Sequence, residues 1–199
     1  MLKKLLLFTF AILVILTIGI VVFNPIERMR ESRDTTRVND LTSIKKAIDI
    51  YINNNAKDIA ANPGLLCSNC SVGKEVFSYR SIKLIVSVSD TGLTTVEKHS
   101  LYVNATGWLP LDLARNARLG QTPLKVLPLD PLEKGYSIRT KLPFFSKEEN
   151  FVYTYTAGID NKYKLTAKLE SKKGLEKAKN DGGTLDDRIE VGTDLTLKP

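Results

Sequence analysis

The chain has 199 residues, 43% hydrophobic and 26% charged, with a formal net charge of +7. That length and balance fit one globular domain plus an attachment segment. The basic residues are interleaved with acids rather than gathered with aromatics into one stripe, which argues against a nucleic-acid partner.

Residues 1–4 form a basic leader, and residues 5–23 contain no charged residue. At a helical rise of about 1.5 Å per residue this apolar run would reach roughly 28 Å, close to a bilayer's hydrocarbon thickness, so a transmembrane helix is expected over 5–23. A cleaved secretory signal would end at a small-x-small site, which Val21-Val22-Phe23-Asn24-Pro25 does not supply. A buried core helix would show an amphipathic stripe instead of apolarity all round. The expected topology is a single-pass membrane protein with a cytoplasmic N-terminus and an extracytoplasmic or cell-surface head. The Lys3 and Lys4 pair before the run and the arginines after it leave the charge rule undecided; the short leader and the cysteine pair favour this orientation.

Asn24-Pro25 breaks the helix, because proline lacks an amide donor. From residue 24 to 55 the apolar positions, among them Ile26, Met29, Val38, Leu41, Ile44, Ile48, Tyr51 and Ile52, fall mostly three, four or seven apart, which predicts an amphipathic helix. The stripe is weakest at residues 30–37, and so charged a stretch is expected to project from the head or to meet partners. Asn53-Asn54-Asn55 and then Asn62-Pro63-Gly64 end the helix and turn the chain.

Residues 56–170 read as the head domain. An alternating run over 81–88 and a β-branched return over 95–103, joined through Ser89-Asp90-Thr91-Gly92, predict a hairpin. The proline-rich stretches 107–113 and 127–131 are expected to be ordered loops, with Trp108 plugging the core edge. Residues 151–156 and 162–169 alternate as closing strands around the turn at 158–161. Residues 171–199 form a charged C-terminal segment, a short lysine-rich helix or loop and then an edge strand or tail over 188–197. The fold class expected is α+β, a long N-terminal helix, transmembrane then amphipathic, packed on a small antiparallel β-sheet.

Catalytic signatures are lacking: there is no Ser-His-Asp pattern, no phosphate-cradling glycine loop and no histidine pair for a metal, since His99 is the only histidine. A non-enzymatic role is expected. Cys67-Ser68-Asn69-Cys70 admits a zinc half-site, a redox dithiol or a disulfide. Zinc lacks further ligands and a redox site lacks its helix, so Cys67 and Cys70 are read as a loop-stapling disulfide. Asp181, Asp186 and Asp187 around Gly182-Gly183 form a candidate calcium site with spacing unlike an EF-hand, set against a solvated acidic turn; no other cofactor is expected.

A basic leader, an apolar helix, a break and an amphipathic continuation into a small head resemble the type IV pilin and type II secretion pseudopilin family. The helix over residues 32–51 looks like the family's first extracytoplasmic helix. Leu127-Pro128-Leu129-Asp130-Pro131 with Tyr136, then Tyr153-Thr154-Tyr155 and Tyr163-Lys164-Leu165-Thr166-Ala167, are similar to the loop and strands of major pseudopilins. The resemblance stops at the processing signal, where Leu7 precedes Phe8-Thr9-Phe10-Ala11-Ile12 and the family's glycine and glutamate are missing. It does not carry over leader cleavage or N-methylation.

The resemblance implies a structural subunit of a pilus-like or secretion pseudopilus filament. Its partners would be copies of itself, other pilin-like subunits, inner-membrane assembly machinery and the lipid bilayer. The contacts it implies lie at Phe8, Ile12 and Phe23 in the apolar helix and at Glu27, Arg28, Arg30, Arg33 and Arg37 in the charged band. Two other readings stand beside it, a non-polymerising membrane-anchored binding domain and a thiol oxidoreductase using the cysteine pair.

Overall fold

The structure is a computed structural model that describes residues 3, 6, 8–10, 12–13, 24–61, 77–81, 88–89, 92–93, 101–115, 124–134, 151–158 and 161–198. The described residues between 3 and 13 are helical. Asn24 then takes a left-handed conformation, φ 33°, which asparagine tolerates better than most residues, and its side chain accepts the Glu27 amide at 3.3 Å. With Pro25 in the first turn, where a missing amide costs nothing, a new helix starts here: α1, Pro25–Asn54. At 30 residues it is roughly 45 Å long. Its end is satisfied by Asn55, whose backbone and side-chain nitrogens both donate to the Tyr51 carbonyl. A short helix α2, Ala56–Ala61, follows.

The remaining elements are β1, Phe77–Arg80; β2, Val88–Ser89; β3, Gly92–Leu93; α3, Pro131–Lys134; β4, Thr154–Ala157; β5, Tyr163–Lys168; α4, Lys172–Lys179; and β6, Arg188–Gly192. One four-stranded antiparallel sheet runs in the order β1-β4-β5-β6, and β2 and β3 form a separate two-stranded hairpin. The fold is therefore α+β, with a long N-terminal helix lying on a small antiparallel sheet.

The alternation of β4 and β5 explains what each sheet face does. Tyr155 pairs with Leu165 and Ala157 with Tyr163, while Leu165 and Ala167 pair with Val191 and Ile189. This face meets the stripe Leu41, Ile44, Ile48 and Tyr51 of α1 in one buried core. Two tyrosines fill the core with their rings and reach the helix with their hydroxyls. Tyr153 donates to Asp40 at 2.7 Å and Tyr163 to Asp49 at 2.5 Å. A second layer comes from the loops at 101–115 and 124–130. Trp108 is buried, its ring 6.5 Å from that of Tyr153 and its Nε1 donating to the Pro128 carbonyl at 3.2 Å.

The opposite sheet face is polar yet buried. Lys164 on β5 donates to Glu190 on β6 at 2.7 Å and to the Leu195 carbonyl at 3.1 Å, so the C-terminal stretch lies over this side. Thr154, Thr156 and Thr166 share the face and are buried as well.

Three expectations need correction. The single-pass membrane topology is not supported: among the described residues no helix is long and apolar enough to cross a membrane. Residues 3–13 are described only in part, and the one long described helix, α1, carries charged side chains along its whole length. The charged stretch 30–37 does not simply project, because Asp34 and Arg37 are buried under the head. Residues 101–103 are irregular rather than a returning strand, with 94–100 and 82–87 outside the described residues. Strand β1 and helix α2 were not foreseen, because four- and six-residue elements carry too little periodicity to register.

Burial, then the hydrogen bonds to Asp40 and Asp49, push the Tyr153 and Tyr163 hydroxyls well above the ordinary tyrosine range. A raised folded pKa stabilises fully below the unfolded value of about 10 and is lost as pH rises beyond it. Urea titrations should show stability falling above about pH 10, with a shallower fall in Tyr163→Phe; an unchanged slope in that variant would remove Tyr163 as a cause.

Candidate functional site

Helix α1 is held to the head by a cluster of charges drawn from three distant parts of the chain. Arg37 lies at its centre and is fully buried. Its guanidinium donates to Asp130 through Nε at 2.6 Å and Nη2 at 3.0 Å, and through Nη1 to Asp34 at 2.8 Å and Glu170 at 2.5 Å. The Phe151 ring centroid lies 4.7 Å from its central carbon. Arg33, one turn earlier, forks onto Glu170 at 2.9 and 2.7 Å. Two cations thus share three carboxylates, in the paired geometry that the planar guanidinium favours.

Each carboxylate is placed by a local device. Asp130 stands before Pro131 and accepts the Leu132 amide at 2.9 Å, capping the single turn α3, so the proline-rich loop delivers it. Asp34 accepts the amides of Glu170 and Ser171 and the Ser171 hydroxyl, at 2.7 to 3.1 Å. Ser171 is the N-cap of α4, accepting the Gly174 amide at 2.9 Å. Glu27 accepts the Lys172 amide at 2.5 Å. Two acids of α1 therefore sit at the N-terminus of α4, where the helix dipole favours negative charge. Gly174 lies where α4 comes closest: a Cβ there would collide with the Asp34 carboxylate and stand 2.8 Å from Ser171 Oγ.

Electrostatics decide the protonation states. Burial alone would lower the Arg37 pKa, but the bonds and charges of Asp130 and Glu170 outweigh it and raise the group further. Burial would raise Glu170, but hydrogen bonds and charge from Arg33 and Arg37 win and hold it below the ordinary carboxylate range. The cluster is a clasp between helix and head, with its charged atoms engaged in binding one another.

The residues singled out by sequence divide into three groups. Arg33 and Arg37 belong to the clasp inside the subunit, and Glu27 is split between the Lys172 amide and a 3.5 Å contact with Arg30. Arg28 and Arg30 are exposed, as are Phe8 at 66% and Ile12 at 43%. Phe23, Cys67, Cys70 and His99 lie outside the described residues. Asp181 uses its carboxylate on the Gly183 and Glu190 amides at 2.7 Å, while Asp187 faces Lys168 and Arg188 at 3.9 and 4.0 Å. Asp186 is exposed, and among the described residues no three acids, histidines or cysteines gather as a metal site. Sequence reading missed Asp34, Asp130, Glu170 and Ser171. The only signals were the i, i+3 spacing of Asp34 and Arg37 and the Asp130-Pro131 cap.

Compared with known proteins, the chain matches no protein-family model, no curated protein and no solved structure.

Arg37→Ala should cost about 3–5 kcal/mol by chemical denaturation, because it leaves carboxylates buried without their counter-charge. With a depressed folded pKa, Glu170 stabilises above its unfolded value of about 4.3 and loses that contribution as pH falls through the lower folded value. Glu170→Gln should accordingly flatten the acid limb of the stability profile. Gly174→Ala should destabilise although alanine is the better helix former by about 1 kcal/mol; a gain in stability would show that Asp34 yields easily.

Proposed function

We propose that this chain is a structural subunit that assembles into a filament through its N-terminal helix, as pilin-like and pseudopilin subunits do. The observation that carries this reading is the division of the N-terminal helical region into a locked part and a bare part. From Arg33 onward α1 is fixed by the clasp and by the core. Before Arg33, Glu27 still holds the Lys172 amide, but Leu6, Phe8, Phe10, Leu13, Ile26 and Met29 are each more than 60% exposed. An isolated exposed leucine means little, but several large apolar side chains exposed on the described helical backbone make a surface awaiting a partner.

The physical gain is burial. Each fully covered phenylalanine or isoleucine contributes about 1.5–3 kcal/mol, and packing helix against helix repeats the gain in every subunit. The clasp has the complementary task of transmitting load, since a subunit held by its helix must not part from its head. Several charge-assisted hydrogen bonds between helix and head serve that end.

The test is sedimentation and electron microscopy of the full chain, with a photo-crosslinker at position 8 or 12. The expected outcome is filaments with helix-to-helix crosslinks, and loss of both in Phe8→Asp/Ile12→Asp, whose circular dichroism and melting of the head are unchanged. A chain that stays monomeric at all concentrations would overturn the reading and favour a binding domain that does not polymerise.

A further inference from the structure

The core-facing stripe of α1 continues past the edge of the head. Ile26 and Met29 precede Arg33, Arg37 and Leu41 at spacings of three and four, so all five lie along one side of the helix. The last three are covered by the head or paired to it, whereas Ile26 and Met29 are 63% and 61% exposed. Arg30, on the same side, is exposed and, among the described residues, makes a 3.5 Å contact with Glu27. The result is a small apolar ledge with a positive rim, directly below the head.

The same chain carries a surface of opposite character. The loop between α4 and β6 presents exposed Leu185, followed by Asp186 and Asp187, both exposed. Among the described residues, the Asp187 carboxylate has the long contacts to Lys168 and Arg188 noted above. The base of the loop is fixed: Glu190 accepts the Thr184 and Leu185 amides, and Asp181 accepts those of Gly183 and Glu190. A tip held in this way loses little conformational entropy when a partner arrives.

We infer that the ledge at Ile26, Met29 and Arg30 receives the Leu185-Asp186-Asp187 loop of a second copy. This rests on the assembly reading above and names its head-level contact. Charge complementarity selects the occupant, with an apolar tip and two carboxylates meeting an apolar ledge and a guanidinium. The spacing also suits a repeat. The Asp187 carbonyl accepts the Leu169 amide at 3.0 Å, and the neighbouring Glu170 binds both Arg33 and Arg37, so the base of the loop adjoins the part of the head that faces Arg33 and Arg37. The ledge at residues 26–30 is three to eleven residues nearer the N-terminus, about 5–16 Å along the helix axis. A parallel copy displaced by that distance brings its loop to the ledge, and its own ledge then awaits the next copy. The contact joins two different surfaces, so it propagates into an open filament.

Charge exchange on the full chain tests this, read as the concentration at which half the protein sediments. Arg30→Asp alone and Asp186→Arg/Asp187→Arg alone should each raise that concentration at least about tenfold, while the chain carrying all three changes should return close to the unaltered protein. Single exchanges without effect on a wild-type chain that does assemble would overturn the ledge contact and leave the assembly reading intact. Loss in the single variants without recovery in the combined one would also overturn it. A wild-type chain that never assembles would sink the assembly reading and this contact with it.

Discussion

A guanidinium taken out of water loses several kcal/mol of hydration, and only close, well-aligned anions can replace what it gives up. Arg37 is in that position, and its partners come from α1 itself, from the loop before α3 and from the junction of β5 with α4. An apolar stripe could slide along the sheet by a helical turn and still be covered. The forked bonds from Arg37 to Asp130 and from Arg33 to Glu170 allow one position only, because each atom pair has its own place. The clasp therefore fixes where the helix stands relative to the head, while the apolar core beneath supplies most of the adhesion.

The remainder of the head extends that arrangement. Tyrosine suits the inner sheet face because it fills core volume with its ring and keeps a hydroxyl for the helix, where Asp40 and Asp49 meet it. On the outer face the Lys164 and Glu190 pair is buried, and the amides of the loop after α4 complete the carboxylate's hydrogen bonds. The C-terminal segment is thus tied to the sheet on one side and to α1 on the other. The loop it carries is held firmly enough to present Leu185 and the two following acids to solvent.

Much of this order was visible in the residues. The break at Asn24-Pro25 and the three-four spacing of Leu41, Ile44, Ile48 and Tyr51 announce the long helix, since turn chemistry and helical periodicity are local properties. The alternation around 151–169 likewise announces the β4 and β5 pair, and Trp108 among prolines reads as a core residue in a loop. The apolar run before the break has the composition of a membrane span, yet no described helix is long and apolar enough to cross one. The surface that α1 leaves bare at Ile26 and Met29 was not legible, because their spacing is that of residues that are covered further along.

What the sequence determined by itself was the long helix α1, the β4 and β5 pair and their apolar faces, because each depends on neighbours within a few residues. Tertiary structure alone decided the fate of the charges. Arg30 and Arg37 both read as members of one charged band expected to project from the head or to meet partners, but Arg37 stands where Asp130 and Glu170, 93 and 133 residues away, converge on it. No local pattern encodes that convergence. Whether a charge on a helix is buried or bare depends on what the rest of the chain brings within about 3 Å of it.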